Sequence, residues 1–179
     1  MVSAVSPDLL MVQEVDGASG FEHFLDDVLN YENSGLYRSA SFYDQPSTNL
    51  DIGLYYKAED FDYVSSDTID ITSDWGHRDA AEFVVRHLAT GTKLRLYGLH
   101  LKAGNGDDDA ADRASEASAL RNYLNTLESN SHFLVMGDFN VYNSAEEGYQ
   151  KFVETQADDS GRLFDPIDQA GDWHNDATF

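Results

Sequence analysis

A short apolar strand, Phe133-Leu-Val135, runs directly into Met136-Gly137-Asp138-Phe139-Asn140. No other stretch constrains the fold as much. An apolar run closed by a turn signal reads as a central strand, and the mouth of an α/β sheet lies at its strand ends. Asp138 and Asn140 stand two apart, so on an extended backbone they point the same way. A carboxylate beside a carboxamide can orient a water, a metal ion and a phosphate oxygen together. The plain alternative is a strand ending in an Asp-Asn turn.

Two further strands carry polar groups among apolar neighbours. Asp8-Leu-Leu-Met-Val-Gln-Glu-Val15 brings out Glu14 near its end, and Tyr97-Gly-Leu-His-Leu-Lys-Ala-Gly104 sets His100 among leucines. Taken singly, Glu14 is an exposed strand-end acid and His100 a satisfied core histidine. Taken together, three polar groups on otherwise apolar strands favour one shared site.

The rest of the chain alternates short strands with a few helices. Strands are predicted near 9–15, 36–43, 51–57, 61–72, 80–88, 93–102 and 132–138. Ala89-Thr-Gly-Thr-Lys93 makes a hairpin turn between two of them. Phe21–Leu29 has helical spacing. Ala110–Glu128 places Leu120, Tyr123, Leu124 and Leu127 on one stripe, and Ser144-Ala-Glu-Glu147 reads as a capping box opening a helix to about residue 155. The tail is loop-like apart from Leu163-Phe164. There are no repeats or linkers, so 1–179 reads as part of one α/β domain.

The charge is unusual, with 33 acids against 11 bases, net −22, and four lysines. Such a field repels nucleic acid, whose non-specific affinity comes from Lys and Arg on phosphates. Either the surface is built for high salt, where self-repulsion is screened, or the substrate is not a polyanion. Acids scattered along the whole chain favour the first. Asp107-Asp108-Asp109 lacks the alternating spacing of a calcium loop and reads as a solvated loop before a helix N-terminus. No run of residues is apolar enough to span a membrane, no signal peptide is visible, and there are no cysteines for disulfides or thiolate metal sites.

Gln13-Glu14, Leu99-His100-Leu101-Lys102-Ala103 and Gly137-Asp138-Phe139-Asn140, in this order, resemble the endonuclease/exonuclease/phosphatase superfamily, which includes deoxyribonuclease I. Arg78 fits that family's arginine ahead of a central strand, and Gly53-Leu-Tyr-Tyr-Lys57 its second-sheet strand. The resemblance implies a two-sheet β-sandwich flanked by helices. It also implies hydrolysis of a phosphoester by in-line attack of water. Glu14 would hold Mg²⁺, with Mn²⁺ or Ca²⁺ as alternatives. Asp138 would orient the water, Asn140 would hold a phosphate oxygen or a metal-bound water, and His100 would donate to a phosphate oxygen. Arg78 would clamp the phosphate; its other reading is an ion pair with Asp79 or Glu82.

The family's opening strand with its asparagine and its closing Ser-Asp-His segment have no counterpart here. His174 sits in Gly171-Asp-Trp-His-Asn-Asp176, a polar loop. The expectation is therefore an incomplete sandwich truncated at both ends, inactive alone, from a full-length phosphodiesterase. A nuclease acting on DNA or RNA is the first reading, with Arg78, Lys102, Arg113 and Lys57 as groove cations and Lys102 sharing a strand face with His100. Phospholipid or inositol phosphate substrates form the second reading, and a non-catalytic relic or binding module the third. No obligate protein partner is evident. The compartment stays open, secretion being one reading.

Overall fold

The computed structural model describes residues 2–42, 44, 51–72 and 78–175. They form two compact units: residues 1–68, 81–99 and 131–137, and residues 69–80, 100–130 and 138–179.

The first unit is built on two sheets. One has the order β1 (Leu9–Val15), β3 (Asp51–Lys57), β2 (Tyr37–Ser39), all antiparallel; the other runs β4 (Phe61–Ile69), β5 (Ala80–His87), β6 (Lys93–His100), β7 (His132–Asp138). Side chains alternate across a strand, and here the alternation decides the packing. Ile52 and Leu54 of β3 meet Ala81, Phe83 and Val85 of β5 and Leu96 of β6 in one core, with Leu9, Met11 and Met136 against it. That shared core makes the pair of sheets a sandwich. Truncating Leu54, fully buried, to Ala would cost about 2–5 kcal/mol.

The opposite face of β3 carries Tyr55, which packs against Phe21 and Phe24 and donates its hydroxyl to the Phe21 carbonyl at 2.9 Å. Burial pushes that hydroxyl well above the usual tyrosine pKa. Gly53 leaves room for the same helical layer: a Cβ there would lie 2.6 Å from the Phe21 ring. The layer comprises α2 (Gly17–His23) and a π-helical continuation, Phe24–Leu29; a short α1 (Val2–Val5) precedes β1.

In the second unit α3 (Asp107–Asn125) packs on α4 (Glu147–Val153). Ala114, Ala117, Leu120 and Leu124 of α3 and Phe152 of α4 are buried. So are three charged side chains of α3: Arg113, Glu116 and Arg121. Arg121 donates to the carbonyl of Phe152 at 3.0 Å and to Asp159 Oδ1 at 2.9 Å, tying α3 to the segment after α4.

The predicted strands and helices are present, with shifted limits. The β5–β6 hairpin turns where expected: Gly91 N donates to His87 O at 2.8 Å, with Gly91 at φ +72°. The strand expected over 36–43 is limited to Tyr37–Ser39, residue 43 lying outside the described residues, and that over 61–72 stops at Ile69. The helix expected over 21–29 starts at Gly17 and turns π at Phe24. The third helix is 107–125, not 110–128, because Asp109 Oδ2 accepts the Gly106 N–H at 3.1 Å and closes the first turn. Asp107-Asp108-Asp109 is thus that turn itself, where acids face the positive end of the helix. Ser144 caps nothing: α4 begins at Glu147, Ser144 Oγ accepts from Gly171 N, and Glu146 Oε2 reaches back to Tyr142 N.

Candidate active site

Strand β6 ends at His100 and strand β7 at Asp138. Just past both ends, Leu101 N donates to Asp138 O at 2.9 Å, which sets the two termini side by side. His100 Nε2 lies 4.0 Å from Asp138 Oδ2; the imidazole is 4 % exposed and the carboxylate 53 %. A buried ring thus faces an acid open to solvent.

Asn140 joins them by a turn and not along an extended strand. Its φ is +51°, Asp138 Oδ1 accepts its N–H at 2.9 Å, and its side-chain amide donates to Leu101 O at 2.9 Å. The Asp-Asn turn and the shared site are therefore one feature. One of the two amide N–H groups is engaged there, which leaves the oxygen and the second N–H for the site. Phe139, between the two, turns inward onto Phe152 at 5.6 Å between ring centroids, anchoring the loop. Gly137 approaches Leu99 so closely that a Cβ would stand 2.0 Å from the Leu99 oxygen.

A buried polar network holds these loops. Arg113, 1 % exposed, donates from Nη1 to Lys102 O at 2.9 Å and Gly104 O at 2.7 Å, and from Nε to Glu146 Oε1 at 2.5 Å. Glu116 accepts the Lys102 N–H at 2.9 Å. The segment after His100 and the segment after Asn140 thus hang on one helix. Sequence reading missed Glu116 and Glu146 and misplaced Arg113, because charged residues in a helix read as its solvated face.

Arg78 is half-buried. Its Nη1 lies 3.4 Å from His100 O, a long hydrogen bond, and its buried Nε has no hydrogen-bond partner among the described residues. Glu82, one of its suggested ion-pair partners, is engaged by Arg95 at 2.9 Å and Tyr97 at 2.6 Å.

The other suggested groove cations are occupied. Lys102 is past the strand and pairs with Asp109, whose carboxyl the ammonium holds below the usual range. Arg113 is internal, and Lys57 donates to Asp8 and to Ser6 O, both at 2.8 Å.

Glu14 belongs to the first unit. It is exposed, at φ +60°, inside the bulge where β1 slips register on β3 between Val12 and Val15. Non-glycine residues at positive φ are costly and cluster at functional sites. No group of three or more His, Asp or Glu poised to hold a metal occurs among the described residues. Mg²⁺ asks for less: one or two carboxylates and several waters. Glu14, an exposed hard carboxylate, fits that demand, and the chain has no thiolate to favour softer metals.

Two sheets packed as a sandwich, with an acid, an amide and a histidine at adjoining strand ends, define a deoxyribonuclease I-like fold. The sequence profile of the Endonuclease/Exonuclease/phosphatase family matches residues 1–151, and the chain belongs to that family. No curated relative matches it by sequence. Among solved structures it is similar to the human Nocturnin catalytic domain with bound sulfate, at 23 % identity and TM-score 0.67, covering 86 % of this chain and 58 % of that one. It is also similar to a mannosyl-6-phosphatase of Bacteroides thetaiotaomicron (20 %, 0.63, 85 % and 58 %). A third is D. rerio TDP2 complexed with a single-strand DNA product (15 %, 0.63, 80 % and 52 %). At these identities the likeness establishes the fold. The chain spans between 52 % and 58 % of the length of these three.

Proposed function

We propose that the whole protein is a divalent-cation-dependent phosphoester hydrolase using His100, Asp138, Asn140, Arg78 and Glu14. The observation that carries this reading is the meeting of His100, Asp138 and Asn140 at the ends of β6 and β7, with the Arg78 guanidinium beside His100. A divalent cation bound by Glu14 would neutralise charge developing on the phosphoryl group.

The remaining work falls to this chain's own groups. Asp138, open to solvent, accepts a hydrogen bond from the attacking water and aligns it. Asn140 offers its oxygen to a water and its second amide N–H to a phosphate oxygen. His100 donates from Nε2 to a phosphate oxygen, with Asp138 Oδ2 4.0 Å from that nitrogen. Arg78 presents its fork to the non-bridging oxygens. The sequence contains no Ser-Asp-His segment to act as general base, so the 179-residue chain alone is expected to turn over slowly if at all.

A nuclease remains the first reading of the motifs. A small phosphoester is the second, favoured by a specific observation: Lys57, Lys102 and Arg113 are all engaged internally. A polynucleotide groove needs such cations for its phosphates.

The test uses the full-length protein. Turnover of bis(p-nitrophenyl) phosphate should appear with Mg²⁺ or Mn²⁺ and vanish with EDTA. Calorimetric Mn²⁺ binding should be lost in Glu14→Gln. Turnover in EDTA, or unchanged Mn²⁺ binding in the variant, would overturn the assignment.

A further inference from the structure

Next to Asp138 and Asn140 opens a cleft of about 410 Å³ whose far wall is Tyr142, Trp173 and His174. Neither lysine nor arginine lines it among the described residues. An acid at one end and aromatic rings at the other cannot favour a phosphate; they suit an uncharged planar group attached to one. We infer that this cleft is a stacking subsite for the base of a small nucleotide-type phosphoester. The inference rests on the phosphoester reading above and names its substrate class.

The wall is built, not incidental. The 171–174 loop is laid on the 142–144 segment by Ser144 N to Gly171 O at 2.9 Å, His174 N to Tyr142 O at 3.1 Å and Gly171 N to Ser144 Oγ at 3.0 Å. Trp173 is oriented twice, its indole N–H donating to Gln169 O at 2.9 Å and its ring meeting Tyr149 edge-on at 5.1 Å. His174 stands edge-on to Tyr142 at 4.6 Å, and the Arg113 guanidinium lies 5.3 Å from the Tyr142 ring centroid. Rings already fixed in place lose little freedom when a ligand stacks on them.

Charge points the same way. A chain of net −22 gains little by counting phosphates, and phosphate–cation attraction fades in salt. Stacking between a base and an aromatic face does not depend on charge and tolerates any base. A single nucleotide unit, phosphate at Asn140 and Arg78 and base in the cleft, uses what the second unit offers.

Isothermal titration calorimetry on the full-length protein in EDTA, which stops turnover, tests this with adenosine monophosphate against ribose 5-phosphate. The two probes differ only in the base. Adenosine monophosphate should bind at least about fivefold more tightly, the lower end of what one base stack contributes. Trp173→Ala and Trp173→Leu should abolish the preference, and Trp173→Phe should keep most of it. Equal affinities for the two probes would overturn the inference, as would a preference surviving both variants. Diester hydrolysis without base preference removes this subsite and leaves the hydrolase standing. Base preference without hydrolysis does the reverse.

Discussion

A Cβ added to Gly137 would stand 2.0 Å from the carbonyl oxygen of Leu99 and 2.8 Å from its nitrogen. The glycine also sits at φ +140°. The close approach comes one residue before Asp138 on β7 and one before His100 on β6, so it sets the spacing of the two groups. Gly137→Ala should lower unfolding free energy by roughly 3 kcal/mol or more, overpacking adding to backbone strain. Urea denaturation checks it; a loss under about 1 kcal/mol would show that the backbone yields.

Arg113 is the second structural test. Removing one member of a buried ion pair strands the other, at about 3–5 kcal/mol. Arg113→Met should therefore unfold at lower urea by an amount in that range. Arg113→Lys should recover only part, since one ammonium cannot reproduce contacts made from Nε and Nη1 to Glu146, Lys102 O and Gly104 O. A lysine variant as stable as the parent would mean that these carbonyls do not need the fork.

The strand ends were legible because each polar group interrupts an apolar run, and His100 and Asp138 do stand together where β6 and β7 end. The sandwich was expected from the motif resemblance and not from alternation, since β3 and β5 are buried along nearly their whole length. Legibility ended where tertiary contacts override local pattern. Arg113, Glu116 and Arg121 look like a solvated helix face until their carbonyl and carboxylate partners are known. Tyr142 and His174 are 32 residues apart and read as loop, yet they pack ring to ring. The turn at Asn140 was visible as an alternative, but its left-handed φ could not be told from an extended strand.

Acid should destabilise the second unit. The Gln156 backbone N–H and then Arg121 hold Asp159 below the usual carboxylate range, and the Ile167 N–H and then the Tyr149 hydroxyl do the same for Asp165. A depressed folded-state pKa contributes stability that is fully present above the unfolded value, about 3.9, and is lost as pH falls through the folded one. Burial raises Asp79, which works weakly in the opposite direction. The melting temperature should stay level from pH 8 to 5 and fall below about pH 4. Asp159→Asn should lower it more at pH 7 than at pH 3; equal losses at both would remove Asp159 from the account.

Salt should act in the other direction from its effect on most surface ion pairs. Net −22 means self-repulsion, which shrinks as the screening length drops from about 10 Å at 0.1 M to about 3 Å at 1 M. Buried pairs such as Arg113–Glu146 are screened much less. The melting temperature should rise steadily between 0.1 and 2 M KCl. Indifference to KCl would remove the high-salt reading of the surface.

The most direct measurement is the steady-state rate of diester hydrolysis by full-length protein with Mg²⁺, compared between the parent, Asp138→Ala and His100→Ala at matched melting temperature. Loss of a group that aligns water or donates to the phosphate typically lowers kcat by about 10²–10⁴-fold. Both variants should fall by at least about a hundredfold while remaining folded. Rates within a few-fold of the parent would contradict the assignment of His100 and Asp138 to the chemistry.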